Sequence, residues 1–115
     1  MTTSRGEIWL VNLDPAIGDE IKKTRPAVIV SSDAVGILAL RVIAPITAWQ
    51  DKFASCDWLV RVDRDKNNGL EKSSTVDTFQ VRAVSVNRLV RRIGCLNPDD
   101  MNRVAEGLKS VLELD

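Results

Sequence analysis

A mainly β fold, one strongly bent antiparallel sheet or small barrel closed by a single C-terminal helix, is predicted by three observations. Short apolar runs rich in Val, Ile, Leu and Trp recur along most of the chain with turn signals between them. From Asn97 onward the apolar spacing changes from the strand period to the helical one. The 115 residues hold no internal repeat, low-complexity tract or interdomain linker, so residues 1–115 read as one domain, long enough to bury a core.

Residues 6–13, Gly-Glu-Ile-Trp-Leu-Val-Asn-Leu, form the first predicted strand, which the turn pair Asp14-Pro15 stops. Residues 16–24 carry Gly18, two acids and two lysines with neither hydrophobic period, and read as an exposed, mobile loop of the kind that gates a site. Residues 26–32 and 38–46 are so continuously apolar that both are expected to run through the core, joined by a polar link at 33–36. Residues 57–63 alternate, with Trp58, Val60 and Val62 on one face and Leu59 and Arg61 on the other, ahead of a charged turn containing Asn67-Asn68-Gly69. Residues 75–86 make one long strand or two short ones, placing Phe79, Val81, Ala83 and Ser85 on one face and Thr78, Gln80, Arg82 and Val84 on the other. Asn97-Pro98-Asp99-Asp100 then supplies a capping residue, Pro at the first helical position and two acids where the helix dipole favours them. Met101, Val104, Ala105, Leu108, Val111 and Leu112 follow as one helical stripe.

Charge and composition narrow the chemistry. Sixteen basic and sixteen acidic side chains cancel, so any contact with nucleic acid has to be local. The first residues are polar, and nowhere do about 18 apolar residues follow one another, so the expectation is a cytoplasmic protein with no membrane partner. Cys56 and Cys95 are far apart and read as buried, reduced thiols. Histidine is absent, which removes the commonest general base and the commonest metal ligand, and no Gly-rich phosphate loop is present. The expectation is therefore no metal and no cofactor.

Lys23-Thr24-Arg25-Pro26 opens one apolar strand and Ala44-Pro45-Ile46-Thr47 closes the next. A guanidinium and a hydroxyl at neighbouring strand ends can converge on one phosphate, the first as a planar two-pronged donor, the second as a rotatable one. RNA scission by the ribose 2′-hydroxyl suits such a site, because the substrate already holds the nucleophile beside the phosphorus. The protein then supplies alignment and charge stabilisation at the developing phosphorane.

Arg5-Gly6-Glu7-Ile8-Trp9, Gly18-Asp19-Glu20 leading to Arg25-Pro26-Ala27-Val28-Ile29-Val30-Ser31, Pro45-Ile46-Thr47, and Phe79-Gln80-Val81-Arg82 with Arg88-Leu89 together resemble the MazF/PemK family of toxin endoribonucleases. The resemblance runs in order over almost the whole chain. It implies an SH3-like barrel of the MazF/CcdB/PemK type with a C-terminal helix, a homodimer, and a cognate antitoxin that occupies the RNA groove. It also implies metal-independent cleavage of single-stranded RNA at short motifs, leaving a 2′,3′-cyclic phosphate and a 5′-hydroxyl. Carried over by position, Arg25 and Thr47 match the catalytic pair, and Glu20, Lys22, Ser31, Trp49, Asp77 and Gln80 stand as RNA-contacting candidates. Phe79 departs from the acid that many relatives carry before the strand glutamine, and Asp77, two residues earlier on the expected strand face, is the nearest substitute. The proton acceptor is unassigned, since a guanidinium is a poor base.

Each of these residues also has a plain structural reading. Arg25 pairs with Asp19 or Glu20 at the surface, and Thr47 satisfies backbone at a strand end. Trp9, Trp49 and Trp58 are core or interface anchors, Trp49 being the one placed to meet a base. Asp77 and Gln80 are solvated strand residues, and Arg82, Arg88, Arg91 and Arg92 either track phosphates or guard a sheet edge. The rival function is a toxin of the same fold that poisons a protein target such as a topoisomerase by binding alone; a nuclease that has lost activity is a third reading.

Overall fold

The computed structural model describes residues 2–115. Seven strands, β1 (Glu7–Asn12), β2 (Thr24–Ile29), β3 (Leu40–Ala48), β4 (Leu59–Val62), β5 (Ser74–Asp77), β6 (Arg82–Ser85) and β7 (Leu89–Cys95), precede one helix, α1 (Pro98–Leu112). All pairings are antiparallel, in the order β4-β5-β3-β2-β1-β7, with β6 also on β3. This is the mainly β architecture with a terminal helix that the sequence predicts.

The nine residues of β3 form the spine of the sheet. Its first half pairs with β6 from Leu40↔Ser85 to Ile43↔Arg82, and its last residues pair with β5 from Ile46↔Val76 to Ala48↔Ser74. Pro45 falls between the two segments, so its missing N–H interrupts neither the β5 nor the β6 pairing. The sheet bends there and separates two cores. Ile8, Val28, Ala44, Ile46, Val60 and Val76 lie under α1 with Met101 and Val104, while Trp9, Val11, Leu13, Ile29, Ile43 and Leu89 fill the other side. Both faces of β2 and β3 are thus covered, which is why their sequences read as unbroken apolar runs.

Residues 75–86 resolve into the two short strands, not the one long strand. Between them, Asp77 turns its carboxylate back to accept the backbone N–H groups of Phe79 (3.0 Å) and Gln80 (3.2 Å). Thr78 donates its N–H (3.1 Å) and hydroxyl (2.8 Å) to the Trp58 carbonyl. The chain therefore turns a corner at 78–81, and the expected sharing of a strand face by Asp77, Phe79 and Val81 is overturned. The eighty-ninth to ninety-fifth residues, for which no strand is predicted, form β7 against β1. Two register irregularities in that pairing, at Ile8/Trp9 and Leu10/Val11, break the alternation and leave Val90, Arg91 and Arg92 all exposed.

The helix starts as its sequence requires, with the Asn97 side chain accepting the Asp100 N–H at 2.8 Å and Pro98 in the first turn. Its buried residues are Met101, Val104 and Gly107. Gly107 lets the helix approach the sheet closely, since a Cβ there would sit 3.0 Å from Thr78 Oγ1 and 3.2 Å from Val60 Cγ2. Leu112, expected in the apolar stripe, is exposed. Cys56 and Cys95 are free and half-buried. No helix among the described residues is long and apolar enough to cross a membrane.

Candidate active site

The hydrogen-bonded ladder between β2 and β3 stops at Ala27↔Pro45. Continuing the register, Pro26 faces Ile46 and Arg25 faces Thr47 across the opening, and all four line one cavity of about 490 Å³. The two strand ends that the sequence marks are thereby brought together. Lys72, Arg91 and Arg92 line the same cavity, with Glu71 as its single carboxylate. Arg92 is paired to Glu7 at 3.1 Å, whereas Arg25, Lys72 and Arg91 form no ion pair among the described residues. The Arg25 Nε donates to the Lys22 carbonyl (3.2 Å), so the surface pairing with Asp19 or Glu20 does not occur. Three cations without ion pairs among the described residues, against one carboxylate, leave the cavity with a positive balance that suits an anion.

The loop at residues 16–23 closes over the neighbouring side and is held at several points. Gln80 grips it with both ends of its amide: Oε1 accepts the Ile21 N–H at 2.6 Å and Nε2 donates to the Asp19 carbonyl at 3.2 Å. Glu20 accepts the Ile17 N–H (2.6 Å), Asp14 accepts the Lys23 N–H (2.9 Å), and Arg88 donates to the Asn12 (3.0 Å) and Asp14 (2.5 Å) carbonyls. Glu20 and Gln80 line a second cavity, of about 530 Å³, together with Asp19, Pro45, Phe79 and Arg82. Lys22 sits in the loop beside Arg25.

The remaining candidates lie elsewhere. Trp49, directly beyond β3, donates its indole N–H to Asp51 (3.3 Å), meets Phe53 edge-on (5.8 Å) and lies under the Arg61 guanidinium (5.4 Å); it lines neither cavity. Ser31 is six residues along from Arg25, about 20 Å at strand rise, and its hydroxyl accepts the Val42 N–H at 3.1 Å. Asp77 is committed to the corner, and burial raises its carboxyl above the usual 3.8 despite the two N–H groups it accepts. The four-arginine cluster divides: Arg91 and Arg92 face the first cavity, Arg82 the second, and Arg88 the loop. The sequence does not mark Lys72 as a site residue, and it marks Phe79 only as a departure from the acid that many relatives carry there. Lys72 carries no sequence signal, whereas Phe79 is one of only two phenylalanines in the chain. Among the described residues no group of three or more His, Cys, Asp or Glu converges where a metal would sit.

A model of the PemK-like, MazF-like toxins of type II toxin–antitoxin systems matches residues 4–112. The chain belongs to this family. It is 34% identical to endoribonuclease MazF9 of Mycobacterium tuberculosis over 96% of each chain, and 30% identical to endoribonuclease EndoA of Bacillus subtilis over 99% of this chain and 97% of that one. Among solved structures, the Mycobacterium tuberculosis toxin MazF-mt6 superposes with a TM-score of 0.76 at 28% identity, over 95% of this chain and 98% of that one. The match spans both cavities, β7 and α1, so the MazF-like toxin fold accounts for the whole described sheet and helix. This member of the family has Phe79 at the corner before Gln80 and no histidine.

Proposed function

We propose that this chain is a metal-independent toxin endoribonuclease that cuts single-stranded RNA at short motifs, acts in the cytoplasm, and is silenced by a cognate antitoxin. The observation that carries the reading is the placement of Arg25 opposite Thr47 in a cavity rimmed by unpaired cations. The scissile phosphate occupies this cavity, with its non-bridging oxygens toward the Arg25 guanidinium and the Thr47 hydroxyl. The ribose 2′-oxygen attacks the phosphorus. A P–O2′ bond forms as the P–O5′ bond breaks, the 2′-hydroxyl proton is lost and the 5′-oxygen gains one, so no water is consumed. The products are a 2′,3′-cyclic phosphate and a 5′-hydroxyl. Arg25 and Thr47 stabilise the extra negative charge of the phosphorane, the task that a fixed guanidinium performs better than a mobile ammonium. A toxin that only binds a protein target has no use for this pair. The protein acts as a homodimer, for which the exposed Val35, Ile37, Leu38 and Leu40 at the β2–β3 connection supply an apolar surface.

The test is incubation of purified protein with a long single-stranded RNA in EDTA, with end mapping, for wild type, Arg25→Ala and Thr47→Ala. Discrete cuts with 5′-hydroxyl ends, absent in both variants, are expected. Intact RNA after incubation with folded, antitoxin-free wild type would sink the reading.

A further inference from the structure

The two cavities share no lining residue but meet along β3, and they differ in chemistry. Pro45 lines the second and Ile46 and Thr47 the first; Pro45 and Thr47 are two residues apart on β3, about 7 Å at strand rise and within the reach of one nucleotide, so a strand whose phosphate sits at Thr47 can bring a neighbouring base to Pro45. The first cavity is rimmed by cations. The second has the carboxylates of Asp19 and Glu20 at its rim, and its one cation, Arg82, is directed to the Leu13 carbonyl at 3.5 Å. A phosphate is attracted to the first and repelled by the second, so the part of an RNA strand that enters the second is an uncharged base.

Most polar groups in the second cavity are already engaged. The Gln80 amide holds the loop at both ends, Glu20 accepts the Ile17 N–H, and Asp77 beneath the corner accepts two backbone N–H groups. Besides the Arg82 donors other than Nη1, two groups are free. The Asp19 carboxylate accepts no hydrogen bond among the described residues, and the Phe79 ring is 68% exposed, the one exposed aromatic among the described large apolar residues. The corner that Asp77 fixes holds Phe79 out at the cavity rim, where its ring contributes little to either core.

We infer that Phe79 is the platform on which the base next to the scissile phosphate stacks, and that Asp19 accepts from that base's exocyclic amine, so that cytosine, adenine or guanine is preferred there over uracil. Stacking on an aromatic ring tolerates any base, and a carboxylate set at the exocyclic-amine position favours the bases that carry an amine over uracil, which presents a carbonyl oxygen there. The inference rests on the RNA-cleaving reading above and deepens it by naming what sets the sequence preference at one position.

The experiment measures kcat/KM in EDTA on RNAs that differ only at that base, together with the affinity for an RNA carrying a 2′-deoxy sugar at the cut, which binds but has no nucleophile. Wild type is compared with Phe79→Ala, Phe79→Leu, Phe79→Trp and Asp19→Asn. Phe79→Ala and Phe79→Leu are expected to lose roughly 10- to 100-fold in both kcat/KM and affinity, and Phe79→Trp to retain both. Phe79→Leu keeps an apolar side chain of similar bulk, so its loss separates stacking from space filling. Asp19→Asn is expected to narrow the preference against uracil. If wild type cuts RNA and Phe79→Ala cuts and binds it equally well, the inference is overturned while the cleavage reading stands, including the case in which Phe79→Ala weakens only inhibition by a partner protein. If wild type cuts no RNA, both are overturned.

Discussion

Removing the Gln80 side chain amide should loosen the loop over the site without disturbing the sheet. In Gln80→Ala the Ile21 N–H loses its acceptor at 2.6 Å and the Asp19 carbonyl loses its donor at 3.2 Å. A net hydrogen bond stabilises by about 0.5–1.5 kcal/mol, and the Asp19 contact, being exposed, belongs at the low end, so the pair contributes about 1–2 kcal/mol. That corresponds to a roughly 5- to 30-fold larger open population of the loop. Amide hydrogen exchange followed by NMR reads this directly at Ile21. The Leu13 N–H, bonded to the Lys23 carbonyl at the loop base (2.9 Å), serves as the internal control and should change far less. Gln80→Glu keeps the acceptor for Ile21 but sets an oxygen against the Asp19 carbonyl, so its exchange should fall between wild type and Gln80→Ala. Unchanged exchange at Ile21 in Gln80→Ala would refute the assignment of Gln80 as the clamp, and would leave its amide free to contact RNA.

Two further predictions concern stability. Because burial raises the Asp77 carboxyl, the folded state holds its proton more tightly than the unfolded chain, so stability falls as pH rises from 3.8 through the folded pKa. Asp77→Asn keeps an oxygen for the Phe79 and Gln80 N–H groups and removes the charge; its Tm should exceed that of wild type at pH 7, with the gap closing toward pH 3.8, and a gap that stays constant with pH would contradict this account. Gly69 has φ +69°, and a Cβ there would lie 2.1 Å from the Ile93 carbonyl oxygen. Gly69→Ala should cost at least about 2 kcal/mol in urea unfolding, because both the left-handed backbone and the contact with β7 oppose it; a change below about 0.5 kcal/mol would refute that.

Which parts of this structure were legible in the sequence follows from how each part is stabilised. Strands β1, β2 and β3 and the helix announce themselves because their signals are local: apolar runs bounded by Asp14-Pro15 or by Arg25 and Thr47, and the Asn97-Pro98 start. Strand β7 is hidden because its irregular pairing with β1 leaves Arg91 and Arg92 exposed as consecutive residues, which erases the alternation that marks a strand. The corner at 78–81 is hidden for the opposite reason. Its residues alternate as a strand would, and only the Asp77 carboxylate and the Thr78 hydroxyl, acting on backbone, turn the chain. At the site, the types and strand-end positions of Arg25 and Thr47 are readable, but their alignment depends on a three-pair register between β2 and β3. Gln80 and Glu20 look like free polar side chains until the loop folds back on them.

On the proposed reading, a chain of zero formal net charge engages a polyanion through local charge. If binding were driven by the field of the whole molecule, all sixteen basic residues would be opposed by sixteen acidic ones and little attraction would remain. The cavity instead concentrates Arg25, Lys72 and Arg91, which have no ion-pair partner among the described residues, while Arg92 is already paired with Glu7. About three phosphate contacts follow, and for single-stranded RNA the logarithm of affinity should fall with the logarithm of salt at a slope of about −2. Titrating the 2′-deoxy RNA from low to high salt measures that slope. Arg91→Gln should flatten it by roughly 0.7, and Arg88→Gln, whose guanidinium is spent on the Asn12 and Asp14 carbonyls, should leave it unchanged. A wild-type slope steeper than about −4 would mean that cations outside the cavity carry the strand, and the electrostatic division between a phosphate cavity and a base cavity would fail with it.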